Sequence, residues 1–410
     1  MRPERETGPE QARLLPTVAG VISIEDLRDG DREAATLLGQ QAFGGTDPFD
    51  PERPGVGEGR HIAAYRDGQL VGQVRRHAFG QHFGGRRLTC AGISGVVVAP
   101  EVRRRDLARR MLHESLARAA ADGEVIAALY PTTAALYRSV GFEVAGWWAE
   151  RAVPVGALPR DDGSVAWERT AFDDPRAVAV YDRMAPDHDG WLDPGDDFWR
   201  WRAIQSRKDT KANRYVYVGV RDGEPVAALQ YAYGSSEQAM YRIDVDALHG
   251  IDGASVRAAL AFLGGNGTTA EEVLTVLPAD VLEVHLDHVQ RTTVRRDWPW
   301  MLAFVDLPGA IAARGYPDGV AGAVPLAVDD PHRTDNHGRW VLSLADGRAT
   351  VERGGDGRVA VAASDLAALF SGHLDPLRLA RAGRLGHPTT GDLGLLRAAF
   401  AGHPSLTIFF

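Results

Sequence analysis

The sequence predicts a mixed α/β (α+β) protein assembled from more than one sheet-and-helix unit, and three observations predict it. Residues 21–142 carry strand and helix signals in the order β-α-β-β-β-α-β-α, which builds a mixed sheet with helices on its faces. A hairpin signal recurs: Tyr65-Arg-Asp-Gly-Gln-Leu-Val-Gly72 is echoed by Val220-Arg-Asp-Gly-Glu-Pro-Val-Ala227, the mark of a second copy unless Asp-Gly turns, which are common, coincide by chance. Beyond residue 300 the pattern changes again, to short helices and a further hairpin. At 410 residues the chain has room for two or three domains.

Each element has a local reason. The polar stretch over residues 1–20 lacks the apolar run of a signal peptide and reads as a disordered extension, which makes a cytoplasmic location the expectation. Val21-Ile-Ser-Ile24 opens the ordered part as a strand. Asp31 to Phe43 has helical spacing, with Ala34, Ala35, Leu38 and Ala42 on one side. His61-Ile-Ala-Ala-Tyr65 and Gln69-Leu-Val-Gly-Gln-Val74 flank the tight turn Arg66-Asp67-Gly68, and residues 86–98 read as a further region like a strand pair, ending at Val98. Leu107, Met111, Leu112, Leu116 and Ala119 make the apolar stripe of a helix from Leu107 to Ala120. Val125–Tyr130 is a strand, and Ala134–Val140 a short helix stopped by Gly141. In the third segment Val305–Tyr316 is a helix ending at Gly315. Trp340–Leu344 and Ala349–Glu352 form a hairpin about Asp346-Gly347, Ser364 caps a helix to Phe370, and Leu406–Phe410 reads as a terminal strand.

Composition excludes some chemistry. A formal net charge of −9 argues against nucleic acid as the main partner, and no apolar run is long enough to span a bilayer. Cys90 is the single cysteine, so there is no internal disulfide and no Cys/His zinc spacing; its setting in an apparent strand suggests a small buried residue rather than a nucleophile. Glu283, His285 and Asp287 alternate as on one strand face, which a half-exposed strand explains as well as a metal does; no metal is expected. There is no phosphate-binding loop lysine and no dinucleotide fingerprint.

What remains is concentrated in residues 94–142. The β-branched run Ser94-Gly-Val-Val-Val-Ala-Pro100 enters the basic turn Arg103-Arg-Arg-Asp-Leu-Ala-Arg109, which opens a helix. Backbone N–H groups, a helix N-terminus and guanidinium forks at one spot suit a pyrophosphate. This turn resembles the acyl-CoA loop of GNAT acetyltransferases, Arg/Gln-x-x-Gly-x-Gly/Ala, with Asp106 in place of the first glycine; its carboxylate is free to cap the helix or to weaken the cofactor's hold. The segment Leu129-Tyr-Pro-Thr-Thr-Ala-Ala-Leu-Tyr137-Arg-Ser-Val-Gly-Phe142 resembles the part of those enzymes that carries a general-acid tyrosine. Over residues 20 to 410 the chain resembles the narrower group of Eis-type (enhanced intracellular survival) acetyltransferases, and Trp300–Tyr316 resembles the entry to their sterol-carrier-protein-like domain.

The resemblance implies tandem GNAT folds with mixed sheets, at residues 21–162 (catalytic) and 163–299 (without a cofactor loop), then a sterol-carrier-like α+β domain at 300–410. In the second copy Asp246 and Asp252 stand where the arginine cluster would be, a turn that repels phosphate. It also implies acetyl-CoA as co-substrate, a small-molecule amine acceptor such as an aminoglycoside, and a homohexamer. Val96, Val97 and Val98 are expected to hold the pantetheine arm. Arg104, Arg105, Asp106, Leu107, Ala108 and Arg109 are expected to cradle the pyrophosphate, with Thr132 and Thr133 near the thioester. Tyr137 is the expected general acid and the terminal carboxylate of Phe410 the general base. Glu25, Asp26, Asp29, Phe43, Asp47 and Asp50 fall in the region that lines acceptor sites in this fold, though a solvated acidic face explains them too. Two other classes fit: a non-catalytic acyl-CoA or lipid carrier, and a protein-lysine acetyltransferase.

Overall fold

The computed structural model describes residues 21–46, 49–53, 55–57, 59–103, 106–208, 214–234 and 240–410, with the backbone alone over 203–208. The N-terminal extension, Asp47, Arg104 and Arg105 lie outside the described residues.

One large sheet dominates. Its first half comprises β1 (Ile22–Asp26), β2 (His61–Arg66), β3 (Gln69–Phe83), β4 (Arg86–Val98), β5 (Ile126–Leu129) and β6 (Glu143–Pro154). Its second half comprises β7 (Ala166–Thr170), β8 (Leu192–Asp193), β9 (Arg214–Arg221), β10 (Glu224–Gly234), β11 (Tyr241–Gly250), β12 (Ala270–Thr275) and β13 (Thr293–Phe304). The order is β1-β2-β3-β4-β5-β13-β6-β12-β11-β10-β9-β7, with the short β8 on β3. The echoed hairpins occupy matching places. Asp67 and Gly68 turn β2 into β3 with φ of 53° and 80°, and Asp222 and Gly223 turn β9 into β10 with φ of 54° and 83°. In each half an antiparallel run meets one parallel pair, β4 with β5 and β11 with β12. Helix α1 (Arg32–Phe43) packs on β3 and β4, and α2 (Leu107–Ala121) on β2, β3 and β4 through Leu107, Met111, Leu112 and Leu116. The short α3 (Ala134–Arg138) follows β5.

Strand β13 crosses the boundary expected at 299/300. Met301–Phe304 pairs with Leu129–Ile126 on one side, and Thr293–Leu302 with β6 on the other, so Trp300–Phe304 belongs to the large sheet. Its side chains alternate between two cores: Met301 and Ala303 lie with α2, while Trp300, Leu302 and Phe304 lie with Leu366, Phe370, Leu406 and Ile408 of the C-terminal part. That part has its own sheet: β14 (Gly322–Asp329), β15 (Gly338–Ala345), β16 (Arg348–Arg353), β17 (Val359–Ala362) and β18 (Leu385–Gly386), in the order β16-β15-β14-β17-β18.

Four local expectations change. Residues 86–98 are one long strand. The helix expected to be capped by Ser364 begins at Ala363, and its N-cap Ala362 offers no side-chain bond. Glu283 ends a helix, Ala279–Glu283, so Glu283, His285 and Asp287 do not share a strand face; no cluster of three potential metal ligands occurs among the described residues. The chain end is not a strand: Ser405 makes one bridge to Trp147, and residues 406–410 run extended without a ladder. Its anchors are side chains, with Leu406 and Ile408 1% and 4% exposed.

Candidate active site

Strands β4 and β5 pair from Cys90↔Ile126 to Ile93↔Leu129 and then part. The parting follows from β4, where Gly95 takes a φ of 59° and the β3–β4 register slips between Gln73 and Arg75. Beyond it Val96–Val98 stays on β3 alone, with Gln73↔Val97 and Gly72↔Val98, and its other edge opens on the gap. The Val98 carbonyl points that way, because it accepts from Arg103 Nε at 3.1 Å. By strand alternation Val96 and Val98 therefore turn N–H and C=O toward an open edge, the form of site that takes an added extended chain. Val97 keeps its side chain in the core beside α2.

At the end of that gap stands the start of α2. Asp106 sits there with φ 61° and ψ 9°, the left-handed conformation that glycine adopts most easily and that Asp tolerates better than most residues. Its carboxylate does not cap the helix; it accepts from Arg109 Nε at 2.5 Å. Leu107 is buried in the core, so it offers the site its backbone, and Ala108 is half-buried. Arg104 and Arg105, expected to complete the cradle, lie outside the described residues. In the second half the equivalent corner is closed. Asp252 caps the helix Gly253–Gly264 by accepting from Ser255 N–H and pairs with Arg221, while Asp246 lies within β11 and pairs with Arg214.

Across the gap, β5 leads into Tyr130-Pro-Thr-Thr133. Trp298 Nε1 donates to the Pro131 carbonyl at 3.1 Å and pins this turn from β13. Thr132 and Thr133 are exposed, and Thr133 precedes α3 as its N-cap residue. Tyr137 is 4% exposed; burial raises its pKa against the opposing effect of a hydrogen bond with Thr132, so the phenol keeps its proton.

The chain end reaches the same place. Tyr130 Oη donates to the Ile408 carbonyl at 3.1 Å, and its ring stacks on Phe409 with centroids 4.3 Å apart. The Phe410 ring meets Phe79 at 5.1 Å, Tyr130 at 5.5 Å and His77 at 6.3 Å. These contacts hold Phe410 against β3 and the turn after β5. Trp298 and His77 stand outside the quoted motifs, and Tyr130, which lies within one, is revealed only by its position in the fold.

The face of β3 below Phe410 is basic. The Arg75 guanidinium lies against Gly95, makes no hydrogen bond or ion pair among the described residues, and has a pKa lowered to about 10 by burial and then by Arg53. His77, bonded to Ser94 Oγ at 2.8 Å, is lowered to about 3 by burial and then by Arg75; His61 is lowered to about 4 for the same reasons. Of the acidic acceptor candidates, Glu25 pairs with Arg28, Asp26 with Arg118, and Asp50 accepts from Glu52 N–H. Asp47 lies outside the described residues, and Phe43 is exposed. Cys90 is fully buried and its thiol pKa is raised by that burial, which removes it as a nucleophile.

Residues 23–145 match the family model described as an acetyltransferase (GNAT) domain, and residues 307–407 the one described as a sterol carrier protein domain. An uncharacterized N-acetyltransferase of Streptomyces griseus is 27% identical over 368 residues, covering 81% of this chain and 86% of that protein. The N-acetyltransferase Eis of Mycobacterium tuberculosis is 28% identical over 340 residues, covering 77% and 78%. The crystal structure of a GCN5-related N-acetyltransferase from Anabaena variabilis superposes with a TM-score of 0.87 at 25% identity, over 95% of this chain and all of the other. The chain thus carries a GNAT acetyltransferase domain and a sterol carrier protein domain, and over most of its length it is similar to Eis-type N-acetyltransferases.

Proposed function

We propose that the protein transfers an acetyl group from acetyl-CoA to the nitrogen of a small-molecule amine, directly and without a covalent enzyme intermediate. The observation that carries this reading is the pairing of an open edge at Val96–Val98 with a buried, protonated Tyr137 across the gap. Bound along that edge, acetyl-CoA supplies the activated acetyl thioester. The Val96 and Val98 backbone groups hold the pantetheine arm, and the Val98 N–H faces the place where negative charge develops on the carbonyl oxygen. The Phe410 carboxylate takes the proton that the acceptor ammonium must lose. Tyr137 gives its proton to the departing thiolate.

The acceptor is the finer question. An aminoglycoside is one candidate. Arg75 favours a second: a buried guanidinium without an acid partner among the described residues, beside two imidazoles kept neutral, suits an amine that also carries a carboxylate or phosphate better than it suits a polycation. Assembly as a hexamer and a cytoplasmic location belong to the same proposal.

One experiment tests the chemistry. Thiol release from acetyl-CoA is followed with aminoglycosides, simple polyamines, amino acids and a lysine peptide as acceptors. Acceptor-dependent release is expected, falling about 100-fold in kcat for Tyr137→Phe with the fold retained. No release with any amine supports the carrier reading instead, and faster turnover of aminoglycosides than of anionic amines removes the role given to Arg75.

A further inference from the structure

Away from the chain end, the C-terminal domain also meets α2 and the residues after α3, and what it brings there is positive. The turn 330–336 between β14 and β15 carries His332 and Arg333. Both lie on Gly141, just after α3: a Cβ built on that glycine would stand 3.3 Å from His332 Cδ2 and 3.5 Å from Arg333 Nη1. Gly141 has a φ of 98°, so no other residue fits there without strain, and the contact is close because the side chain is absent. The His332 ring also meets His113 of α2, with centroids 5.4 Å apart and planes inclined by 42°. Arg109 stands one turn before His113 on the same helix, about 6 Å away along its surface. The charges of Arg109 and Arg333 are felt at both imidazoles, each of which burial lowers first.

Little negative charge answers this cluster. Asp106 pairs with Arg109. Asp330 is 4% exposed, and its carboxylate is occupied by the N–H groups of His332 and Arg333 at 2.9 and 3.0 Å and by Asn336 Nδ2 at 3.1 Å. Those bonds shape the turn that carries the two side chains. The Arg333 guanidinium makes no hydrogen bond or ion pair of its own among the described residues. Two arginines and two histidines from two domains, gathered one helical turn beyond a pyrophosphate cradle, form a site for a second anion.

We propose that Arg333, His332 and His113, with Arg109, bind the phosphate monoester on the ribose of coenzyme A, so that the sterol-carrier-type domain contributes directly to cofactor recognition. The inference rests on the acyl-CoA reading above. Coenzyme A carries a diphosphate and, one nucleoside away, a 3′-phosphate. The diphosphate at the start of α2 leaves the ribose beside the next turn, where His113 stands. Arg333 matches a phosphate as a planar fork, and the paired imidazoles add donors that strengthen when protonated. Removing the monoester from the ligand therefore removes the interaction without touching the thioester end.

Calorimetry with coenzyme A and with 3′-dephospho-coenzyme A, on full-length protein, tests this. Wild-type protein is expected to bind coenzyme A about tenfold more tightly than the dephospho form, the value of one charge-assisted contact. Arg333→Gln should lose that preference by weakening coenzyme A alone, and His332→Asn should lose part of it. Tyr137→Phe should keep it whole. Equal affinity of wild type for the two ligands overturns the proposal. So does an Arg333→Gln protein that binds both ligands more weakly by the same factor, the mark of a disturbed fold. Failure of folded wild type to bind either ligand overturns the acyl-CoA reading itself, a result separate from a lost preference.

Discussion

Asp106 shows how one residue records the demand of a site that its own chemistry does not serve. The turn before α2 needs a left-handed residue, and the chain supplies Asp at φ 61°, which costs about 1 kcal/mol relative to glycine. The side chain brings a negative charge to the start of α2, where the proposal places the diphosphate, and engages Arg109. Asp106→Gly should relieve the strain, free that guanidinium and lower KM for acetyl-CoA about twofold to fivefold, with kcat little changed. Steady-state kinetics at fixed acceptor checks it; an unchanged or higher KM means the carboxylate does not oppose the cofactor. Tyr137 and the basic turn could be read from the sequence because each sits in a short, ordered motif. Arg75, Tyr130 and Trp298 could not, since they act through neighbours far away in the chain, as Tyr130 does with Ile408.

The element that positions the phenol is α3, and five residues are too few to hold themselves in water. The helix is tied down at both ends. Trp298 fixes the turn before it, and Arg138 at its last position donates to Glu143, which is 3% exposed and also accepts from Arg384 of the C-terminal domain at 2.9 Å. Glu143→Gln leaves the shape but removes the charge that both guanidiniums answer. It should cost about 1–3 kcal/mol in urea unfolding and lower kcat more than KM, because Tyr137 moves with Arg138. Equal stability of the two proteins would mean that the network is solvated and idle. Elements with a strong period or a tight turn, such as α2 and the Asp-Gly hairpins, were readable in advance. The terminal segment was not. Its apolar residues suggested a strand, but their partners are rings and a core rather than a ladder, and alternation alone does not separate these cases.

For the molecule as a whole, three buried imidazoles set the response to acid. Burial, reinforced by Arg75 for His61 and His77 and by Arg202 for His249, lowers their pKa values to about 4, about 3 and about 3. In the unfolded chain each titrates near pH 6.5. Between pH 6.5 and 4 the unfolded state thus binds more protons, and stability is lost as pH falls through that window. Each group shifts the folding equilibrium by up to about tenfold per pH unit. The depressed carboxylates Asp174 and Asp392, at about 2, act only below pH 4 and do not mask the effect. Thermal melts from pH 7 to 4.5 should show a steady fall in Tm, and His249→Gln a shallower one; a flat profile would remove these histidines as the cause. The sheet order has a different consequence. The strand wedged between β5 and β6 is translated only after about 140 further residues have left the ribosome. Until residue 304 emerges, the catalytic half has a slot open through its middle, with apolar residues on both walls. Closure of the first half therefore waits on residues 293–304, the strand that latches it. A gene fragment ending near residue 162 would encode the motifs of an acetyltransferase without the means to close around them.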